Sequence, residues 1–194
     1  MNLTDKYLRE LTFDDEKKIK KRVNVGGAVI IKEGENGEKL LLLIQRSKDD
    51  HFPNHYEIPR GKCDGGGSKE NLNEPIEKCT IRECKEECGL DVIPKKLIDK
   101  FSYVAEEGTR LSTQHNFLCE MKNPDQEVKL SHEHQDYKWV QSVGEVELYV
   151  LPEIKKTISK ALNQEEQIVI YPENELSDDK ISEIVEDYFE NKND

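Results

Sequence analysis

No stretch of this 194-residue sequence approaches the roughly 20 consecutive apolar residues that a membrane-crossing helix needs. The opening MNLTDKYLRELTFDD also lacks the apolar core of a secretory leader. Both absences predict a cytoplasmic protein with no membrane partner. Cysteines number five, an odd count without an export signal, which argues against a disulfide framework and for reduced thiols. No C-x₂-C pair occurs and no histidine follows the cysteines at ligand spacing, which disfavours zinc. No block of Lys and Arg reads as a duplex-binding surface, so a long nucleic acid is not the expected main partner, although capped RNA stays open. There is no internal repeat.

What remains is a polar but foldable chain, 35% hydrophobic and 36% charged. Its length suits one domain with a full core plus an appendage or two. The net charge of −12 is uneven: from Asn163 to the end there are 11 acidic residues against 2 basic ones, so the tail holds −9 of it. Residues 1–22 read as a polar helical arm, with Thr12 as its N-cap. Two strands follow in RVNVGGAVIIKEGENGEKLLLLIQRS, turning at Asn36-Gly37. The segment HFPNHYEIPRGKCDGGGSKENLNE is loop-like except for a short strand at Tyr56–Ile58. A helix is expected from about Pro75 to Cys88, stopped by Gly89. Further strands are expected at KKLIDKFSYVA, TQHNFLCEM and DYKWVQ, then a helix near LPEIKKTISKAL. In the acidic tail, Ser177 caps a pattern that puts Ile181, Ile184, Val185, Tyr188 and Phe189 on one stripe, predicting a docked helix. Strands mixed with two or three helices make a layered α/β or α+β domain.

The chemistry concentrates in IRECKEECGL, Ile81 to Leu90. At 100° per residue Glu83, Glu86 and Glu87 share one side with Ile76 and Cys79, while Lys78, Arg82 and Lys85 project away. Carboxylates placed inward need a positive partner, because an unpaired buried charge costs several kcal/mol. A cluster of hard oxygens selects Mg²⁺ or Mn²⁺, ions that commonly bridge substrate phosphates. A surface helix laced by Lys78, Arg82 and Lys85 would use the same residue types, and spacing alone does not separate the two.

The wider pattern does. Glu74-x₇-Arg82-Glu83-Cys84-Lys85-Glu86-Glu87-Cys88-Gly89-Leu90 resembles the signature of the Nudix hydrolases, G-x₅-E-x₇-R-E-U-x-E-E-x-G-U with U apolar. It departs at the front, where Gly61 lies thirteen residues before Glu74 and the tract GGGSKEN reads as a loop insertion. The resemblance covers about residues 23–162 and leaves 1–22 and 163–194 as extensions. It implies an α/β/α sandwich with a mixed sheet and attack of water on a diphosphate linked to another group. It assigns metal binding to Glu83, Glu86, Glu87 and the Gly61 carbonyl, orientation to Arg82, electrostatic support to Glu74, and substrate binding to Arg60 and Lys62. Glu133, in LSHEHQDYKWV, is the expected later-loop ligand or base.

Two subfamily likenesses bear on substrate. EVKLSHEHQDYKWV and FSYVAEE resemble animal-type diadenosine tetraphosphate hydrolases, which assigns adenine stacking to Tyr103 and Tyr137, with His134 as a further substrate-binding residue. EIPRGK with CTIRE resembles mRNA decapping enzymes, whose RNA-binding segments are not seen here; the dinucleotide and inositol-pyrophosphate branches also place a basic residue after that proline. The expected substrate is a dinucleoside polyphosphate, handled by a monomer or homodimer. A Nudix-fold binding or regulatory module is the non-enzyme alternative.

Overall fold

The computed structural model describes residues 18–50, 52–63, 74–146 and 149–163. The expected arm up to residue 17, the glycine tract and the expected acidic-tail helix lie outside the described residues. The arm was expected to run to 22, but Lys21 and Arg22 already belong to a strand.

Seven strands form one mixed sheet. Strand β1 (Lys21–Glu33) is its spine, running parallel to β6 (Arg110–Met121) over ten residue pairs. Its VGGAVII run is apolar without alternation, as expected of a strand covered on both faces, and Ala28, Val29 and Ile30 are fully buried. On its other side β1 has two partners in turn. Residues Val25–Gly27 pair with β4 (Arg60–Lys62), whereas Ile31–Glu33 pair with β2 (Lys39–Arg46). Beyond Leu41, β2 leaves β1 and pairs with β3 (Tyr56–Glu57) and, on its outer edge, β7 (His134–Val140). The sheet therefore splits into a wedge, and the segment from Glu57 to Arg60 fills it. On the far side β6 pairs with β5 (Val92–Ala105).

The β1–β2 turn is closed by the Gly34 amide on the Glu38 carbonyl, with Gly37 at φ 82°, where a side chain would be strained. Helix α1 (Ile76–Cys88) begins after Pro75, whose extended backbone stands at the cap rather than in the first turn. It ends at Gly89 in the left-handed conformation, whose N–H donates to the Lys85 carbonyl. The helix lies almost on the backbone of β1: a methyl at Gly26 would come within 2.6 Å of Thr80 Oγ1 and 2.8 Å of its amide nitrogen. Cys79, Cys84 and Cys88 pack beneath it with Ala28, Ile30, Leu42 and Ile44. Helix α2 (Pro152–Asn163) covers the opposite face through Ile154 and Ile158 against Val29, Leu41 and Leu43. The expected layered sandwich is thus observed. All five thiols are free and buried.

Candidate active site

Helix α1 carries its glutamates along the wedge, and one arginine organises them. Arg82 grips Glu74 with two parallel hydrogen bonds, Nε to Oε1 at 2.9 Å and Nη2 to Oε2 at 2.8 Å. Its Nη1 donates to Glu83 at 2.7 Å and Glu86 at 3.0 Å, and Nη2 also donates to the Lys62 carbonyl at 3.0 Å. The helical projection that sent Arg82 away from the glutamates is thereby corrected. The direction of its Cβ matters less than the reach of a long side chain that folds back over its own turn. Glu83 is mostly buried and Glu86 half exposed. Burial raises the Glu83 pKa, against the opposing pull of Arg82, and the charges of Glu86 and Glu74 push it the same way as burial.

Glu87, one turn past Glu83, is buried and aimed at the wedge. Its Oε2 accepts the Arg60 backbone N–H at 2.8 Å. Burial, then the neighbouring negative charge of Glu57, hold its pKa well above the usual carboxylate range. Gly61 is the other half of this contact, since any side chain there would overlap the Glu83 carboxylate. The Gly61 carbonyl accepts a contact from Cys79 Sγ at 3.5 Å.

A fifth carboxylate, Glu57, is not apparent from the sequence. It is 2% exposed and sits between two guanidinium groups: Arg60 contacts its Oε2 through Nε at 2.8 Å and Nη2 at 2.7 Å, and Arg46 contacts its Oε1. Burial alone would raise its pKa, but the Arg60 and Arg46 charges overcome that and hold it far below the usual range. Arg46 is shared with Asp50 at 2.5 Å. The signal in the sequence was Glu57 three residues before Arg60, an acid and a base facing one another across two residues of chain.

Arg60 reaches further, with Nη1 donating to Tyr103 Oη at 3.2 Å and Gln114 Oε1 at 3.0 Å. Tyr103 is thus beside the wedge. Tyr137 is not with it: pairing with Ile44 puts Tyr137 on the α1 face, whereas Tyr103, opposite Ser112, is on the α2 face. His134 is buried with Nε2 3.6 Å from Glu57, too long for a hydrogen bond, so its ring faces the Glu57 cluster and not solvent. Glu133 is exposed, yet its segment is stitched to the site: the Ser131 amide donates to the Glu87 carbonyl and the Ser47 amide to the Glu133 carbonyl, both at 2.9 Å.

Among the described residues no three acidic, histidine or cysteine side chains converge as a closed metal cage. A hard ion that retains several waters needs only one or two carboxylates, so the donors present suit Mg²⁺ or Mn²⁺. The observation in favour is Glu87, a buried carboxylate that the charges of Glu57 and Glu83 repel and that accepts its hydrogen bond from the neutral Arg60 amide.

A NUDIX domain family model matches residues 20–179, most of the chain. The chain belongs to the Nudix family. Its curated relatives include the asymmetrical bis(5'-nucleosyl)-tetraphosphatase of Mus musculus, 30% identical over 135 residues that make up 68% of this chain and 84% of the relative. The same enzyme of Sus scrofa is 35% identical over 103 residues, 51% of this chain and 62% of the relative. Among solved structures, a binary complex of the C. elegans Ap4A hydrolase superposes with a TM-score of 0.56 at 27% identity, covering 72% of this chain and 94% of that one. The Nudix domain of Shewanella oneidensis NrtR bound to ADP ribose has a TM-score of 0.55 at 17% identity, covers 78% and 97%, and shares the fold. This Nudix protein is therefore a hydrolase acting on pyrophosphate bonds.

Proposed function

We propose that this Nudix hydrolase cleaves dinucleoside polyphosphates, diadenosine tetraphosphate first, with Mg²⁺ or Mn²⁺ as its cofactor. The observation that carries the reading is the grouping of the four signature carboxylates, with Glu74, Glu83 and Glu86 held by Arg82 and Glu87 held by the Arg60 amide. The named activity of the relatives supports the substrate.

In this reading the divalent ion would draw its protein donors from Glu83, Glu86, Glu87 and the Gly61 carbonyl, one or two carboxylates to an ion, with waters in the remaining places. The ion would supply charge neutralisation at the phosphates and a lowered pKa for a bound water. Arg82, fixed by Glu74, holds Glu83 and Glu86 in place by hydrogen bonds. Arg60 adds its positive charge and its remaining Nη2 N–H towards a phosphate oxygen, Lys62 adds positive charge on the adjoining loop, and Tyr103 supplies a ring for base contact, where stacking can contribute about 1–3 kcal/mol. Glu133 accepts the proton from the attacking water. Water adds to one phosphorus, a phosphoanhydride P–O bond breaks, and the two phosphate products leave.

The test is a screen of diadenosine tetraphosphate, capped RNA, ADP-ribose, inositol pyrophosphates and oxidised nucleotides, with and without Mg²⁺, reading products by mass in ¹⁸O-labelled water. We expect unequal cleavage of the dinucleotide to a mono- and a triphosphate, dependent on metal. Selective release of a capped-RNA product would replace this substrate assignment, and no turnover of any nucleotide would reverse it.

A further inference from the structure

Arg60 is held on two sides, and only one of them belongs to the wedge. Beyond Gln114 a chain of hydrogen bonds crosses the α2 face of the sheet. Gln114 Nε2 donates to Asn116 Oδ1 at 2.8 Å, and Asn116 Nδ2 to Thr157 Oγ1 at 2.9 Å. Thr157 Oγ1 donates to Asp99 Oδ2 at 2.8 Å, and Lys160 closes the end with an ion pair to the same carboxylate. Gln114, Asn116 and Thr157 are all fully buried. The ends dictate the polarity of everything between. A guanidinium can only donate and a carboxylate can only accept, so each amide is locked in one orientation, with the Gln114 carbonyl towards Arg60. Reversing any one group would set two donors or two acceptors face to face among fully buried side chains. Gly27 makes room for the chain: a Cβ there would overlap Asn116 Oδ1.

We propose that Asp99, Thr157, Asn116 and Gln114 form a one-way hydrogen-bond relay that positions Arg60, so that helix α2 sets the guanidinium orientation at the active site. Glu57 grips the Nε and Nη2 edge, and the relay determines what Nη1 meets. Gln114, Asn116 and Thr157 are positioning residues; they reach the chemistry only through Arg60. The consequence for catalysis rests on the substrate role proposed above for Arg60, whereas the orientation of the guanidinium does not.

Two measurements separate these. The first is the rate of rotation of the Arg60 guanidinium, read from its side-chain ¹⁵N NMR signals, which are assigned by their disappearance in Arg60→Lys. We expect at least a tenfold faster rotation in Thr157→Val, which cuts the relay on α2, and in Gln114→Met, which cuts it beside Arg60. Thr157→Ser, which keeps the hydroxyl, restores the wild-type rate. The second is steady-state hydrolysis of diadenosine tetraphosphate, where KM rises about tenfold in Thr157→Val with kcat within twofold of wild type. If Thr157→Val does not fold, Gln114→Met decides both. An unchanged rotation rate in the cut variants, with only lowered thermal stability, overturns the relay. Failure of the wild-type protein to hydrolyse the dinucleotide removes the substrate reading and leaves the rotation measurement to decide the relay.

Discussion

At Gly61 a methyl group in place of hydrogen would overlap the Glu83 carboxylate, while the backbone carbonyl of the same residue is a proposed metal donor. Gly61→Ala should therefore push Glu83 aside and weaken Mg²⁺ binding by calorimetry at least tenfold, with the far-UV circular dichroism unchanged. Glu87→Gln keeps the size of the side chain and removes its charge. It should lower kcat/KM by about 100-fold or more, equivalent to ~2.7 kcal/mol of transition-state stabilisation. Retained activity in that variant would contradict the metal role. Arg82→Lys replaces a planar fork by a point charge, so the paired bonds to Glu74 cannot both form. Residues of this kind divide by how they announce themselves. Glu83, Glu86 and Glu87 are neighbours in sequence and on one helix, so their spacing reveals them. Glu57 was hidden because what makes it consequential, Arg46 from β2 and Arg60 from β4, arrives from elements on either side of the wedge. Gln114 was hidden for the same reason, lying 54 residues from Arg60.

Between elements, α1 lies close over β1 at Gly26. Gly26→Ala would drive a methyl into the Thr80 backbone, which cannot rotate away as a side-chain tip could. We expect a loss of about 1–3 kcal/mol in urea unfolding, the usual cost of overpacking; an unchanged midpoint would mean the helix can lift from the strand. Helices α1 and α2 and the first two strands were legible in the sequence because apolar periodicity and, for α1, the stop at Gly89 agree. Strand β5 was legible only from Lys95 onwards, although it starts at Val92. Its pairing with β6 is interrupted between Pro94 and Lys96 and again between Leu97 and Asp99, and each irregularity breaks the alternation by which a strand is recognised. Strand β7 likewise begins earlier than DYKWVQ suggests, at His134, where a shift of register against Arg46 lets a buried histidine stand among polar neighbours. The same register explains why Tyr103 and Tyr137, similar in a linear reading, lie on different faces.

Over the whole molecule, stability should depend on acidity through His115. This side chain is buried in β6 and its pKa is lowered from 6.5 to about 4, by burial first and then by the charge of Lys100. Because the folded pKa lies below the unfolded one, the neutral ring's contribution is complete above about pH 6.5 and drains away as the pH falls towards 4. The loss should reach up to roughly 3 kcal/mol, read as a falling urea midpoint that His115→Gln flattens. Glu57 acts in the same direction at lower pH, since its depressed pKa makes its ion pairs stabilising only while it stays ionised. The five buried thiols carry a different consequence. Three of them, Cys79, Cys84 and Cys88, lie on one helix and in one core, so a maleimide can reach them only when that helix parts from the sheet. Counted by mass over time, labelling at these positions would clock how often the catalytic helix breathes, with no label or mutation introduced beforehand.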